Sequence, residues 1–369
     1  MDKVGETTLE IDLSALEHNF RYLKSKLLPE TKFLAVVKAF AYGSDMVAIA
    51  KKMETLGVDY FAVAYVKEGV LLRDAGIMSP ILVLHPQPVN FGELIDRCLE
   101  PSLYSQKILK QFLKTAHQKK QKDYPVHLKF NTGLNRLGFW ETDAEHISAQ
   151  LAGRNEIKIK SIFSHLAASE DLTEKEFSQM QIKTFEKISA ELNQKLGYSP
   201  FRHMLNTSGI INYPKAQFEM VRSGIGLYGY GNDAKEDQNL KPVATLKTII
   251  SQIHKIEPGE TVGYNRAFAS EDHRISATLP IGHADGIGRQ YGKGKAHVTI
   301  HGKKAPIIGN VCMDMIMVDV TDIDCQEGDE VLVFGENASA EQFATLANTI
   351  SYEILTAISQ RVKRTYKDT

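Results

Sequence analysis

The residue with the clearest chemical potential is a lysine at the end of an apolar strand. It lies in the segment AVVKAFAYGSD, from Ala35 to Asp45, where Lys38 directly follows the predicted strand. A lysine that is partly shielded from water has a lowered pKa and can attack a carbonyl carbon as a nucleophile. The commonest aldehyde cofactor that binds a protein lysine in this way is pyridoxal 5'-phosphate (PLP). The segment therefore raises the hypothesis of a PLP site.

PLP also requires a phosphate site, and the segment VRSGIGLYG offers one. Backbone N–H groups at Ser223, Gly224 and Ile225 could bind a phosphate, and Arg222 lies beside them. Barrel enzymes of the (β/α)8 type frequently bind phosphate groups in loops late in the barrel sequence. A lysine and a phosphate cradle in one chain strengthen the PLP hypothesis.

Other polar residues are predicted to lie at strand ends, where a (β/α)8 barrel has its active site. Each residue alone would most often face solvent, so the evidence is their convergence on one mouth. They are Lys129 at the end of VHLK, His165 at the end of SIFSH, Asn206 and Thr207 at the end of HMLN, and Arg222 before a predicted strand from Ile225 to Tyr230.

The elements that must position these residues alternate between strand and helix. Predicted strands include KFLAVV, YFAVAY, PILVLH, VHLKF and IKSIFSH, with helices such as Asp45 to Leu56 and Lys175 to Leu192 between them. Repeated strand–helix units indicate a parallel sheet. Their number favours a TIM-type (β/α)8 barrel over an open, doubly wound sheet, which is the rival fold.

The pattern changes after about Leu240, where short β-rich segments are separated by Gly, Pro and Asp turns. We therefore predict two domains: a barrel over residues 1–240 and a mostly antiparallel C-terminal β domain over residues 241–369. The first predicted strand, at about residues 6–13, could pack with the second domain instead of the barrel.

Composition excludes several function classes. The formal net charge is −1 with acids and bases interspersed, which argues against a nucleic-acid or membrane surface as the main partner. No window has the ~18 apolar residues of a membrane span, and no secretory signal is visible. The cysteines Cys98, Cys312 and Cys325 lack metal-ligand spacing, so no metal and a cytoplasmic location are expected.

Five segments in order along the chain resemble the alanine racemase family: AVVKAFAYGSD, LKFNTGLNRLGF, RSGIGLYG, GETVGYNR and VCMDMIMVDV. The resemblance implies a PLP-dependent enzyme that interconverts L-alanine and D-alanine and supplies D-alanine for peptidoglycan. It also implies a homodimer in which each chain contributes to its partner's active site.

The resemblance further implies roles for individual residues. Lys38 and Tyr264 would be the bases on opposite faces of the substrate, with Tyr264 coming from the partner chain. Arg136, Met313 and Asp314 would bind the substrate, and Lys129 matches a lysine that is often carbamylated in the family. Matches to the cofactor-binding residues are Lys38, Tyr42, His165, Asn206, Thr207, Arg222, Gly224, Ile225 and Tyr352.

The sequence departs from the family pattern at a few positions, and these leave alternatives open. Phe40 replaces a residue that is polar in many relatives, Ser44-Asp45 replaces a frequent His-Gly, and Thr207 replaces a serine. His283 replaces a tyrosine on the path of substrate access, so a racemase for serine or other amino acids is an alternative. A non-catalytic PLP-binding protein and a piece of a longer fusion are the others.

Overall fold

The computed structural model describes residues 5–231 and 234–367. Eight parallel strands form a closed barrel, in which the pairing of Ala35 with Ser223 joins the first strand to the last. The closed barrel confirms the (β/α)8 prediction over the open sheet. Its strands are β2 (Lys32–Val36), β3 (Tyr60–Val63), β4 (Ile81–Val83), β5 (Glu100–Leu103), β6 (Tyr124–Lys129), β7 (Ile157–Phe163), β8 (Phe201–His203) and β9 (Met220–Ser223).

Helices connect the barrel strands and cover them. In α6, Ser105 caps the first turn by accepting a hydrogen bond from the Ile108 N–H, and the face containing Phe112 is buried. Such a helix is positioned by its buried face. The helices are α1 (Leu13–Lys24), α3 (Met46–Thr55), α4 (Val66–Asp74), α5 (Phe91–Asp96), α6 (Gln106–Gln118), α7 (Ala144–Leu151), α8 (Lys175–Leu196), α9 (Thr207–Asn212) and α10 (Ala234–Asp237), and α2 (Lys38–Tyr42) is a short left-handed turn.

A nine-stranded sheet forms the second region, in the order β11-β14-β17-β16-β15-β18-β10-β1-β19. All its pairs are antiparallel except β1 with β19. Its strands are β1 (Thr8–Asp12), β10 (Ala244–Ile249), β11 (Gln252–Ile256), β14 (Arg274–Leu279), β15 (His297–Ile300), β16 (Lys303–Ile308), β17 (Ile316–Asp319), β18 (Glu330–Phe334) and β19 (Lys363–Lys367). The pair β12 (Thr261–Val262) and β13 (Phe268–Ala269) and the helices α11 (Ala340–Thr345) and α12 (Ser351–Ala357) complete this region.

The first strand of the chain therefore lies in the sheet of the second region, between β10 and β19. Chain order and spatial order differ here, because the barrel begins only at Lys32. The extreme ends of the two predicted domains, residues 1–4 and 368–369, lie outside the described residues.

Two strand predictions are wrong. The segment predicted as a strand from Ile225 to Tyr230 instead contains a 3-10 turn over Ile225–Tyr228. The last barrel strand ends earlier, and Arg222 lies within it and not before it. Strand β5 (Glu100–Leu103) was not predicted, because its EPSL sequence contains residues that are depleted in strands.

Two searches over the described residues were negative. None of the helices that the structure describes is both long and apolar enough to cross a membrane. Within residues 5–231 and 234–367, no group of three or more His, Cys, Asp or Glu side chains could hold a metal ion.

Candidate active site

The mouth of the barrel encloses a cavity of about 720 Å³, within the usual range for small-molecule sites. It lies where the carboxyl ends of the barrel strands meet. The cavity brings together every predicted site residue except Tyr264, Met313 and Asp314. These lining residues are Lys38, Tyr42, Lys129, Arg136, His165, Asn206, Thr207, Arg222, Gly224, Ile225 and Tyr352.

A left-handed turn after β2 positions Lys38 and Tyr42. Residues 39–42 all have φ of about +54°, a backbone conformation that residues with a Cβ rarely adopt. Gly43 ends the turn with φ +79°, and a Cβ there would lie 1.8 Å from the Leu355 carbonyl oxygen. Only glycine can therefore occupy this position, where the turn meets α12.

Glu68 holds this turn against the neighbouring strand end. One of its carboxylate oxygens accepts a hydrogen bond from the Ala39 N–H at 2.6 Å. The other accepts hydrogen bonds from the N–H groups of Ala64 at 2.7 Å and Tyr65 at 3.1 Å. Because three backbone donors share one carboxylate, the strained turn is fixed where β3 ends.

The mouth is rich in cations. Burial and the charge of Arg136 lower the pKa of Lys38. Burial and the charges of Arg136, Arg222 and Lys38 lower the pKa of Lys129 to about 8. Among the described residues that line the cavity, none is Asp or Glu, so the site suits an anionic ligand.

The phosphate-cradle prediction places Tyr42, Thr207 and Gly224 together, and the structure packs them closely. A Cβ on Gly224 would lie 2.1 Å from the Tyr42 hydroxyl oxygen. The Thr207 hydroxyl accepts a hydrogen bond from the Gly226 N–H at 3.2 Å and lies 3.0 Å from the Ser223 hydroxyl. Burial raises the pKa of Tyr42, so its hydroxyl remains a hydrogen-bond donor.

Asn206 has a structural role beside the cradle. Its side-chain oxygen caps α9 by accepting a hydrogen bond from the Gly209 N–H at 2.9 Å. It accepts a second hydrogen bond from the Ser169 hydroxyl at 2.8 Å. Asn206 thus fixes the start of the helix on which Thr207 lies.

Arg222 is buried and surrounded by acceptors. It donates hydrogen bonds to the carbonyl oxygens of Ser164 at 2.7 Å and Met204 at 3.0 Å. It also contacts His165 Nδ1 at 3.1 Å and His203 Nδ1 at 2.6 Å. Burial and the charge of Arg222 hold the pKa of both histidines well below the usual value, so both rings are neutral acceptors.

A chain of hydrogen bonds continues from His203 through the barrel interior. His203 Nε2 lies 2.8 Å from the Ser161 hydroxyl, which lies 2.6 Å from His127 Nδ1. His127 Nε2 lies 2.6 Å from the Glu100 carboxylate. If each group donates to the next, Arg222 to His203, Ser161, His127 and Glu100, every contact is satisfied. The chain links the Arg222 cation to a buried carboxylate on β5.

The sequence reasoning missed His203, Ser161, His127 and Glu100. The available signal was a polar residue on each of four predicted or overlooked barrel strands, at positions that face the interior. Taken one at a time, each of these residues looks like an ordinary hydrogen-bonded core residue. Glu100 had the further difficulty that its strand, β5, was not predicted.

The three remaining predicted residues form a separate surface, which we call the β-domain patch. Tyr264 is 74% exposed and Met313 is 59% exposed. Together with Asp314 they border a shallow depression of about 500 Å³ that also includes Cys312 and Met315. Within this single chain, the β-domain patch and the barrel mouth are different sites.

The departures from the family pattern have local explanations in two cases. Asp45 caps α3 by accepting a hydrogen bond from the Ala48 N–H at 2.9 Å, and it accepts another from the Tyr366 hydroxyl at 2.7 Å. Thr207 retains the hydroxyl described above. Phe40 is exposed at the left-handed turn, and His283 is exposed beside the β-domain patch.

Comparisons with known proteins agree on one family. Residues 11–232 match the family model described as "Alanine racemase, N-terminal domain", and residues 243–366 match "Alanine racemase, C-terminal domain". "Alanine racemase 1" of Clostridium acetobutylicum is 37% identical over 367 residues, which cover 97% of this chain and 94% of that protein. The alanine racemase of Thermodesulfovibrio yellowstonii is 37% identical over 365 residues, covering 97% and 96%.

Solved structures give the same result. The alanine racemase of Clostridium difficile 630 superposes with a TM-score of 0.92 at 34% identity, covering 99% of this chain and 97% of that one. The enzyme from Bartonella henselae, described with covalently bound pyridoxal phosphate, has a TM-score of 0.90 at 31% identity and covers 99% and 100%.

Proposed function

The chain belongs to the alanine racemase family, and on this premise we propose that it interconverts L-alanine and D-alanine with PLP by a two-base mechanism. The observation that supports this proposal best is the composition of the barrel mouth. Lys38 and the phosphate cradle line one cation-rich cavity, together with Arg222 and Arg136.

The residues present fit PLP. Lys38 would hold the aldehyde carbon, and its lowered pKa favours the free amine that this bond requires. Tyr42, Thr207 and the backbone N–H groups of Gly224 and Ile225 would hold the phosphate. Gly224 lies so close to the Tyr42 hydroxyl that any side chain would fill the cradle. When bound, PLP withdraws electrons from the substrate Cα and thereby acidifies its proton.

Two side chains would move the proton. The Lys38 amine would exchange it on one face of Cα, and the Tyr264 hydroxyl of a second copy would exchange it on the other. A single base would have to travel around the substrate, whereas two opposed bases need only reverse their protonation states at each turnover. Arg136 and the Met313 N–H would bind the substrate carboxylate, with Asp314 beside them.

Arg222 would face the pyridine nitrogen. Burial and Arg136 lower its pKa to about 9, which leaves it charged at neutral pH. A charged arginine does not readily give a proton to the ring nitrogen. The ring would then withdraw electrons only moderately, which would limit side reactions such as transamination. His165 and the chain from His203 to Glu100 would keep the guanidinium in place.

We also propose that Lys129 is carbamylated. A pKa of about 8 leaves part of the amine neutral at physiological pH, and a neutral amine can bond to the carbon of CO₂ with loss of a proton. The resulting anion would offset cations in a lining whose described residues include no carboxylate. Carbon-13 NMR under labelled CO₂ should show a carbamate signal that strengthens as pH rises through 8. Its absence in the native protein, or its persistence in Lys129→Ala, would contradict the proposal.

We propose a homodimer because of the position of Tyr264. Tyr264, the proposed second base, does not line the mouth of this chain and lies exposed on another surface. A symmetric pair would let each β-domain patch cover the partner's mouth.

The wider setting remains part of the proposal. We propose a division near residue 240 into the barrel and the β domain, a cytoplasmic location, and a role in supplying D-alanine for peptidoglycan. Comparing turnover of alanine, serine and lysine would define the substrate range that His283 leaves open.

The central experiment is borohydride reduction followed by peptide mapping, run beside an assay for D-alanine. We expect a pyridoxyl group on Lys38 and formation of D-alanine from L-alanine. A label on a different lysine would contradict the assignment of Lys38. A failure to form D-alanine would contradict the function.

A further inference from the structure

Arg361 joins two loops that border the β-domain patch. Its Nε and Nη2 donate to the two carboxylate oxygens of Asp285 at 2.7 and 3.0 Å. Nη2 also donates to Asp314 at 2.7 Å. One guanidinium thus links residues 281–288 to residues 312–315. A paired donor geometry of this kind fixes direction as well as distance.

The two loops also contact each other through their backbones. His283 N–H donates to the Cys312 carbonyl and Ala284 N–H to the Met313 carbonyl, both at 3.0 Å. A Cβ on Gly282 would lie 2.4 Å from the Met313 carbonyl oxygen, so the loops touch where only glycine fits. The conformation of Met313 therefore depends on the loop that Asp285 anchors.

Asp285 is buried and is held independently of Arg361. Its carboxylate accepts a hydrogen bond from the Gly282 N–H at 2.8 Å, and its carbonyl accepts one from the Ser359 N–H at 3.1 Å. Asp314, in contrast, is half exposed and lies at the edge of the patch. Arg361 therefore fixes the exposed carboxylate of Asp314 relative to the buried carboxylate of Asp285.

The same C-terminal segment reaches the barrel mouth. Tyr352 on α12 lines the cavity, and the Leu355 carbonyl packs against Gly43 at the end of the left-handed turn. Arg364, three residues after Arg361, donates to the Gly43 carbonyl at 2.8 Å. Residues 351–364 thus contact the cofactor side through Tyr352, Leu355 and Arg364, and Arg361 within the same segment contacts the β-domain patch.

From this geometry we propose that Arg361 is a positioning residue for substrate binding: it holds Asp314, and through it the Met313 backbone, in the orientation that receives the substrate carboxylate. The inference rests on the proposed function and on the β-domain patch facing a second copy's mouth. Arg361 itself touches neither substrate nor cofactor in this assignment.

Kinetics of Arg361→Gln with alanine provide the test. We expect the KM to rise about fivefold, the upper end for a partly exposed charge pair, with kcat within twofold of the parent. Arg361→Lys keeps the charge but not the forked geometry and should recover part of the KM. Arg274→Gln is the matched control, since Arg274 pairs with Asp319 at 3.1 Å in the same sheet region, away from the patch.

Two measurements separate positioning from folding. Asp314→Asn weakens only the contact between Arg361 and Asp314 and leaves the Arg361–Asp285 pair intact. The variant should therefore fold normally, and its KM should still rise. Binding of propionate, a carboxylate without the reacting amine, should weaken by a similar factor when followed by calorimetry on the PLP-loaded dimer.

The KM of the double variant Arg361→Gln/Asp314→Asn should be no higher than that of the poorer single variant, because each single variant already removes the Arg361–Asp314 interaction. Unchanged KM and propionate affinity in both single variants would overturn the inference. So would a fall in kcat alone, or an equal effect of Arg274→Gln. If the parent protein forms no D-alanine, the proposed function fails instead, before the variants are compared.

Discussion

The barrel mouth and the β-domain patch are built on opposite principles. The mouth is enclosed, cationic and held by strained backbone, buried histidines and a chain of hydrogen bonds. The patch is exposed, and its residues lie on turns between strands. A cofactor that stays bound calls for a preformed cavity, whereas a residue that completes another chain's site must remain accessible until the chains associate. This difference is what the proposed dimer requires, in which each chain would hold one cofactor and complete the site of the other.

The largest effect should come from Lys38 in the mouth. Lys38→Ala removes both the covalent anchor and one base, so we expect activity to fall by more than about 10³-fold. The absorbance of lysine-bound PLP should also disappear. Lys32→Ala is the matched control, because Lys32 lies at the other end of the same strand, beside Asp59. Racemisation by Lys38→Ala at the parent rate would remove the mouth from the mechanism.

Mixing two inactive variants tests the comparison directly. Lys38→Ala and Tyr264→Phe should each be nearly inactive, yet a hybrid dimer would contain one intact site, with Lys38 from one chain and Tyr264 from the other. Random exchange of subunits makes half the dimers hybrid, so about a quarter of the parent activity should return. No recovery after verified subunit exchange would mean that both residues act within one chain.

The sequence predicted the barrel well because strand and helix alternate in a regular way, and it predicted the second region from its dense turns. It misplaced the last barrel strand because RSGIGLYG has the apolar character of a strand, while its glycines permit the close packing of a 3-10 turn against Thr207. It missed β5 because Glu100 and Pro101 disfavour a strand locally, and the closed barrel overrides that preference.

In the candidate site, most of the residues in the mouth lie at or near barrel strand ends, so the sequence of a single chain was enough to predict them. The series of hydrogen bonds from His203 to Glu100 could not be predicted, because it depends on which side chains come into contact across four strands. Tyr264 could not be placed beside Lys38 for a different reason. Its proposed site lies on another molecule, so the spacing of residues within this sequence carries no information about that contact.

Glu100 offers a third, intermediate test, because it belongs to the mouth's supporting chain without touching the cavity. Glu100→Gln removes the charge that opposes Arg222 through His127, Ser161 and His203. We expect the free energy of unfolding to fall by about 2 kcal/mol, because the hydrogen bond from His127 to a charged carboxylate becomes one to a neutral amide. The pH at which the absorbance of bound PLP changes should also shift, because the guanidinium loses its distant anion.

A matched control exists at the barrel's exterior. Glu156 also pairs with a histidine, His117, at 3.1 Å, but His117 is exposed and remote from Arg222. Glu156→Gln should leave the PLP absorbance profile unchanged. If the PLP absorbance profile is identical in both variants, the hydrogen bonds from His203 to Glu100 stabilise the fold and do not affect the cofactor.

The smallest expected effect concerns the backbone strain that distinguishes the two regions. The mouth has four consecutive non-glycine residues with φ of about +54°, whereas the segment after Tyr264 has two, Asn265 at φ +60° and Arg266 at φ +49°, of which asparagine is a type that tolerates this conformation. Phe40 is 49% exposed, so its side chain can be changed with little loss of packing. Phe40→Asn should raise the free energy of unfolding by about 0.5 kcal/mol relative to Phe40→Ser, which is similarly polar but lacks the left-handed preference. Urea unfolding of both variants measures the difference. Equal stabilities, or a more stable serine variant, would mean that the turn's conformation is not strained at this position, and that Glu68 and Gly43 need only orient Lys38 without opposing an unfavourable backbone.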